Sequence, residues 1–333
     1  MLRVVLVFPE SAAVVIDRMA DDLRGHGFAV RVVYVRDGTD VEEPVKHRLL
    51  REAEIYVTGG YEPLRAADLE GKTSLRLIQR FGAGYDNVDC QAAGLRGVYV
   101  ANTPGGNTAS VADLAMGLIL ALLRLIPRSD ASLRRGTWRL WLGHELAGKK
   151  LGLLGMGAIG KGVALRAAAH GMTVIAHDAR PDHPFAQAHG IAIVSREELL
   201  GTADVVSLHL PLTPETRGSF GEAELKRMKR SAYLINTARG AVVDQPALVR
   251  ALRERWIAGA ALDVFSPEPP SVDDELLGLE NVVLTSHIGG GTIEALERLA
   301  EVTVDNCLRI QRGETPSTAV NKPIARKVND ETR

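Results

Sequence analysis

Three residues suited to carbonyl chemistry stand just past successive apolar runs late in the chain. Arg239 follows Leu234-Ile-Asn-Thr-Ala238, Glu268 follows Ala261-Leu-Asp-Val-Phe265, and His287 follows Val282-Val-Leu-Thr-Ser286. A guanidinium fork grips a carboxylate at two points, and an imidazole moves a proton near neutral pH. A carboxylate beside that imidazole orients the ring and favours its protonated form. Each has an ordinary alternative when taken singly. A strand-end Arg is commonly a surface ion pair, and a His a hydrogen-bonded structural residue.

A fourth feature gives the three a partner. Leu151-Gly-Leu-Leu-Gly155-Met-Gly157-Ala-Ile-Gly160 reads as a buried strand entering G-x-G-x-x-G, and an Ala-rich helix follows. Asp178 lies 18 residues beyond Gly160, at the end of the next strand-like run. In that context Gly155 makes the tight turn and Gly157 lets the backbone approach a pyrophosphate. Gly160 permits close helix packing, and the helix N-terminus supplies N–H donors. A glycine turn alone would mean little; strand, helix and acid together point to a dinucleotide. Joined to Arg239, Glu268 and His287, it implies hydride chemistry on a 2-oxo or 2-hydroxy acid. The cofactor supplies hydride, His287 the proton, and Arg239 holds carboxylate and carbonyl oxygen.

Elements able to position these residues alternate along the chain. β-Branched runs at 4–8, 29–35, 54–58, 77–81 and 98–101 read as strands in the first half. Those at 150–155, 173–177, 191–194, 204–208, 232–236, 259–262 and 282–285 do so in the second. Strands with so little polar alternation suit parallel sheets covered on both faces, and the carboxyl ends of such strands are where ligands bind. Residues 109–125 form a long helical candidate, stopped by Pro127 and joining two α/β units. A second helix spans 292–312. His26-Gly27 and His170-Gly171 each precede a strand after a helix-length stretch, a faint echo between the units.

Composition bounds the setting. The 333 residues carry 40 basic and 41 acidic side chains, a net charge of −1, so no bulk attraction to nucleic acid or anionic membrane is expected. The apolar run 115–123 is far short of the roughly 20 residues that span a bilayer. The N-terminus lacks a signal-peptide layout. Two cysteines, Cys90 and Cys307, are too few for a disulfide framework and fit a reducing, cytoplasmic location. No metal-ligand pattern is evident.

The motifs together resemble the D-isomer-specific 2-hydroxyacid dehydrogenases. The resemblance rests on residues 155–160, Asn236-Thr-Ala-Arg-Gly-Ala-Val-Val-Asp244, Ala261-Leu-Asp-Val-Phe-Ser-Pro-Glu-Pro269 and Ser286-His-Ile-Gly-Gly290. Phe81-Gly-Ala-Gly-Tyr-Asp-Asn-Val-Asp89 and Val100-Ala-Asn-Thr-Pro-Gly-Gly-Asn-Thr108 extend it over nearly the whole chain. It implies an α/β fold of two domains. A Rossmann-type, doubly wound cofactor domain at 102–289 interrupts a flavodoxin-like substrate domain formed by 1–101 and 290–333. It implies a catalytic triad of Arg239, Glu268 and His287. NAD contacts would come from Gly155, Gly157, Ala158, Ile159, Gly160, Asp178, Pro211, Thr216, Thr237, Ala238, Arg239, Asp263, His287, Gly289 and Gly290. Asp263 would meet the nicotinamide amide. The turn at 81–85 would offer backbone N–H groups to the substrate carboxylate through Ala83 and Gly84. Two positions depart from the family pattern: Ser286 stands where Pro is usual, and Asp113 where Glu is common.

The substrate stays open between a glyoxylate- or hydroxypyruvate-like acid and one with a second anion, of the phosphoglycerate or phosphonopyruvate type. Arg80, Arg134, Arg135 and Arg139 are candidates for that second anion, or else surface charges. The absence of a further regulatory domain after residue 320 leans toward the smaller acid. Trp138 and Trp141 would wall the cleft or pack in a core. A noncatalytic, NAD-sensing corepressor-like protein is the rival outside enzymology. The apolar helix at 109–125 and the Trp-bearing segment after it are expected to be buried in a homodimer, and the resemblance implies that this region pairs across a two-fold axis.

Overall fold

Burial along each strand explains where the chain places it. In the computed structural model, which describes residues 1–60, 62–71 and 74–324, β1 (Arg3–Pro9) has five consecutive buried residues. β2 (Ala29–Val35) has none and lies at an edge. β3 (Ile55–Thr58) and β4 (Leu77–Arg80) are buried throughout, and β5 (Tyr99–Ala101) closes the sheet. All pairings are parallel, in the order β2-β1-β3-β4-β5. That is the flavodoxin-like order.

The second sheet contains β6 (Lys150–Leu154), β7 (Thr173–His177), β8 (Ala192–Ile193), β9 (Val205–Leu208), β10 (Tyr233–Asn236), β11 (Gly259–Leu262) and β12 (Val282–Leu284). Its parallel order is β12-β11-β10-β9-β6-β7-β8. The direction of winding reverses between β6 and β9, so the loops leaving those two strands diverge and open a crevice at their carboxyl ends. All twelve expected strands are present, with ends within two residues of the sequence reading.

The chain forms two compact units, Met1–Asn107 with Thr292–Arg333, and Thr108–Gly291. The sequence reading set the crossings at 101/102 and 289/290. Residues 102–103 belong with the first unit because Asn102 Nδ2 donates to Ala83 O (2.7 Å) and Thr103 N–H donates to Gly82 O (2.9 Å).

The echo between the units is a shared helix ending. Gly27 (φ +83°) and Gly171 (φ +74°) follow helices Ala13–Gly25 and Ala158–Ala169. Phe28 N–H reaches back to Leu23 O, and Met172 N–H to Ala167 O. This six-to-one bond needs a left-handed residue, which glycine supplies without strain.

The long apolar helix departs from expectation in three ways. It runs Thr108–Leu123 and opens the second unit rather than joining the two. Leu125 turns left-handed (φ 58°), and a second helix, Ile126–Arg134, leaves at 62°. Pro127 lies in the first turn of that helix, where a missing N–H costs nothing, so it starts a helix instead of stopping one. Val111, Ala112, Ala115, Met116, Leu118, Ile119, Leu122 and Leu123 are all buried, nearly all in the core of their own unit. The argument that this helix needs a second copy to cover it therefore falls. What stays exposed is the irregular stretch after Arg134, where Trp138, Leu140 and Leu142 are 90, 82 and 83% accessible. No single described helix is long and apolar enough to cross a membrane.

Candidate active site

β6 delivers its chain into the 155–160 turn at the switch point. Gly155 has φ +95°, and a Cβ there would come within 2.6 Å of His209 O; only glycine fits. A Cβ on Gly160 would overlap Gly155 O, whereas one on Gly157 would meet nothing within 4 Å. Crowding on one side and open space on the other describe a cradle. Helix Ala158–Ala169 begins there with no side chain capping it. Its first N–H groups, at Ala158, Ile159 and Gly160, face the position an anion would take.

Asp178, beyond the end of β7, accepts from Met156 N (2.7 Å) through Oδ2 and from Arg180 N (2.7 Å) through Oδ1. It thus secures the turn while each oxygen keeps a lone pair for another donor. Past β9, Thr216 Oγ1 donates to Pro211 O (2.6 Å) and accepts from Thr213 N (2.8 Å), which folds 211–216 into a tight loop. Thr237, past β10, is 8% exposed, and its Oγ1 has no hydrogen-bond partner. A buried hydroxyl left unpaired costs about 1–3 kcal/mol. A ligand carrying polar groups would relieve that cost. Open cradle, uncapped helix, acceptor carboxylate and orphan hydroxyl together fit a dinucleotide.

Beneath the cradle lies His209, which sequence reasoning passed over. Its Nε2 lies 2.9 Å from Ser207 Oγ, and desolvation lowers its pKa from 6.5 to about 4. Between these values the unfolded chain binds a proton that the folded one refuses. Folding stability therefore falls as pH drops from about 6.5 toward 4. The residue as a whole is only partly buried, so we expect a loss of about 1–3 kcal/mol. His209→Gln should flatten urea-melt stability across this interval; an unchanged slope would remove His209 as the cause.

β10, β11 and β12 bring Arg239, Glu268 and His287 to adjacent strand ends. Glu268 Oε1 accepts from Phe265 N (2.7 Å), which aims Oε2 at His287 Nδ1 (2.9 Å). With Nδ1 as the donor in that bond, Nε2 is the ring atom left to accept or give a proton to a ligand. Arg239 donates from an Nη to Ala238 O (2.8 Å), and Asn236 braces the turn from both sides through Ala238 N and Arg239 O (3.0 Å each). A side chain at Gly240 would collide with Phe265 O, so the loop bearing Glu268 packs directly against the residue after Arg239.

His287 has φ +54°, a left-handed conformation costing a non-glycine residue about 1–2 kcal/mol. Asp263 holds it there. The Asp263 carbonyl accepts from His287 N (2.8 Å), Oδ1 from Thr285 Oγ1 (2.6 Å) and Ile288 N (2.9 Å), and Oδ2 from Gly289 N (2.9 Å). The carboxylate, in a residue 1% exposed, is thus mainly a staple for the histidine turn, and only one acceptor position remains for an amide. Gly289 and Gly290 continue this turn. Ser286, where the family pattern has Pro, is exposed and bears on none of these bonds; Asp113 pairs with Arg166 (2.6 Å).

Other expectations need correction. Arg80 ends β4 but is 7% exposed, and one Nη donates to Thr58 O (3.3 Å) and Gly60 O (2.7 Å). Its charge faces the buried Glu62, so it braces the fold of the first unit and is not an open anion ligand. Arg134 pairs with Asp130 (2.8 Å). Trp141 is stacked between Arg128 and Arg139, at 4.7 and 4.4 Å. Arg135 is exposed. Ala83 and Gly84 lie in the first unit, past β4, and Tyr85 beside them is exposed. Glu43, His47 and Asp68 have the donors of a metal site, but the Lys46 ammonium sits among them, 2.9 Å from Glu43 and 3.0 Å from Asp68.

The comparisons with known proteins follow the same lines. A family model described as D-isomer specific 2-hydroxyacid dehydrogenase, NAD binding domain, matches residues 116–289. The chain is 45% identical over 285 residues to the glyoxylate reductase of Thermococcus litoralis, covering 83% of this chain and 86% of that one. It is 40% identical over 294 residues to the D-3-phosphoglycerate dehydrogenase of Methanocaldococcus jannaschii, covering 87% of this chain and 56% of the relative. Among solved structures, D-lactate dehydrogenase from Aquifex aeolicus, complexed with NAD and lactic acid, superposes with a TM-score of 0.82. The identity there is 30%, over 96% of this chain and all of that one.

Proposed function

Because the chain belongs to the D-isomer specific 2-hydroxyacid dehydrogenase family and is an NAD-dependent oxidoreductase, we propose that it interconverts a small 2-oxo acid and its D-2-hydroxy acid. Glyoxylate or hydroxypyruvate is the substrate we favour. The observation that carries the reading is the Glu268–His287 pair at 2.9 Å, one strand end away from Arg239.

In this reading the dinucleotide lies on Gly155, Gly157, Ala158, Ile159 and Gly160, with Asp178 accepting from a ribose. Pro211, Thr216, Thr237, Ala238, Asp263, Gly289 and Gly290 line the remainder. Bound there, NADH supplies the hydride. Arg239 grips the substrate carboxylate and draws electron density from the 2-oxygen. His287 gives its Nε2 proton to that oxygen, and Glu268 stabilises the imidazolium beforehand. Ala83 and Gly84 offer backbone N–H groups to a substrate carboxylate.

A substrate without a second anion is favoured because Arg80 is buried on backbone carbonyls and Arg134 pairs with Asp130, which leaves the exposed Arg135 and Arg139 as the remaining candidates for one. The glyoxylate reductases of Thermococcus litoralis and Korarchaeum cryptofilum also match over four-fifths or more of both chains. Purified protein with NADH should reduce glyoxylate or hydroxypyruvate at least tenfold better, in kcat/KM, than pyruvate, phosphohydroxypyruvate or phosphonopyruvate. No turnover of any of them would favour the corepressor-like reading.

NADH should outperform NADPH by at least tenfold in kcat/KM, about 1.4 kcal/mol. The Asp178 carboxylate repels a 2′-phosphate at contact distance, while Arg180 offers attraction that solvent screens. Asp178→Ala should narrow the gap. Equal use of both cofactors by the unmodified enzyme would show that Arg180 governs the pocket.

We also propose a homodimer, resting now on Trp138, Leu140 and Leu142 rather than on helix Thr108–Leu123. Light scattering should give twice the 35.9 kDa of one chain; the single mass over a wide concentration range would refute it. The free cysteines Cys90 and Cys307 support a reducing, cytoplasmic setting.

A further inference from the structure

The motif Val100-Ala-Asn-Thr-Pro104 has no role in the chemistry described above, yet two of its residues are buried against the turn that follows β4. Asn102 is 6% exposed and Thr103 fully buried. Thr103 N–H donates to Gly82 O (2.9 Å), and Asn102 Nδ2 donates to Ala83 O (2.7 Å). Thr103 Oγ1 also accepts from Gly82 N (2.7 Å).

A trans peptide points its N–H opposite to its C=O. The Gly82 carbonyl and the Ala83 N–H share one peptide plane, as do the Ala83 carbonyl and the Gly84 N–H. Anchoring both carbonyls inward therefore turns both N–H groups outward. Among the described residues neither Ala83 N–H nor Gly84 N–H meets an acceptor. Two neighbouring open donors, both aimed from behind, form an anion seat.

The anchors are themselves held. Asn102 O accepts from Thr318 Oγ1 (2.5 Å), and Thr318 Oγ1 accepts from Asn306 Nδ2 (2.8 Å). The same Asn306 amide donates to Gln79 Oε1 (2.8 Å), and Gln79 Nε2 donates to Arg80 O (3.0 Å). Gln79 and Asn306 are fully buried. The returning C-terminal segment thus completes a polar frame below the turn, which accounts for buried amides that a hydrophobic core would otherwise exclude.

We propose that Asn102 and Thr103 are positioning residues for substrate: they never touch it, but they aim the Ala83 and Gly84 donors at its carboxylate. The proposal rests on the reading that this turn receives the carboxylate of a 2-oxo acid. Asn102→Asp keeps the shape but replaces the donor with an acceptor that repels Ala83 O. Thr103→Val removes the oxygen that accepts from Gly82, and Thr103→Ser restores it.

The experiment uses the full chain with NADH and glyoxylate, alongside binding of oxalate to the enzyme–NADH complex by NADH fluorescence. Oxalate carries a carboxylate beside a carbonyl and cannot accept hydride. Asn102→Asp should raise the glyoxylate KM and the oxalate Kd at least tenfold, with kcat within about threefold and NADH affinity unchanged. Thr103→Val should shift the same two constants in the same direction, and Thr103→Ser should return them to wild-type values. The valine–serine pair decides the matter if Asn102→Asp does not fold. Unaltered KM and Kd in the folded variants, or a fall in kcat with KM unmoved, would overturn the positioning role while leaving the activity standing. A wild-type protein that neither reduces a 2-oxo acid nor binds oxalate would instead bring down the functional reading, and this one with it.

Discussion

His287→Ala should lower kcat for 2-oxo acid reduction by on the order of 10²–10⁴ and leave NADH affinity nearly intact. The ring is held at Nδ1 by Glu268 Oε2 (2.9 Å), which assigns the proton transfer of the proposed reaction to Nε2. The left-handed backbone at residue 287 sharpens the comparison. Alanine accepts that conformation no better than histidine, so the Asp263 staple must hold the turn in both proteins. Stability should therefore change little while turnover collapses. His287→Gln, which retains a hydrogen-bonding side chain without a titrating proton, should be about as inactive as the alanine variant. Turnover near wild type in either would end the assignment. Glu268→Gln keeps the geometry and discards the charge, and we expect a smaller loss than at His287, with the Phe265 anchor weakened.

Arg239→Lys should reduce kcat/KM by on the order of 10², about 3 kcal/mol of transition-state stabilisation. The guanidinium is planar and carries five N–H donors. One of them is fixed to Ala238 O at 2.8 Å, and this bond sets the angle at which the fork leaves the turn. An ammonium at the same site retains the charge but cannot hold the carbonyl behind it and present two parallel donors ahead. Both KM and kcat should suffer, because the carboxylate is bound in the ground state and the 2-oxygen gains charge only in the transition state. Added guanidinium should restore part of the activity to Arg239→Ala. A lysine variant indistinguishable from wild type would make Arg239 a structural residue, braced by Asn236 for the sake of the turn alone.

Local chemistry was legible wherever a residue's neighbours along the chain decide its state. The strands were legible because β-branched runs such as Val4-Val-Leu-Val-Phe8 cannot be stable except between two covered faces. The nucleotide cradle was legible because the left-handed turn at Gly155 and the crowding of Gly160 by Gly155 O are set within one strand–turn–helix segment, with Gly157 left open between them. Arg239, Glu268 and His287 were legible as candidates because each stands just past an apolar run, and carboxyl ends of parallel strands converge.

Tertiary structure decided what desolvates each group and which carbonyl each donor meets. Arg80 and Arg239 look alike in sequence, each an arginine near the carboxyl end of an apolar run, yet Arg80 is buried on Thr58 and Gly60 because β3 is its neighbour in the sheet. Asp263 became a staple because β12 pairs with β11 and returns Thr285, Ile288 and Gly289 to its carboxylate. The apolar helix Thr108–Leu123 looked like a subunit interface until a sheet and a helix were seen to cover it. Asn102 acquired its hydrogen-bond partners only when Ala83 and Thr318 were folded against it, from 19 residues before and 216 after. The amino-acid sequence by itself determined the periodicity, the glycines and the reactive side chains, since these depend on bonds and sterics within a few residues. Strand order decided the rest, because burial and hydrogen-bond partners are set by neighbours in space, and those come from distant parts of the chain.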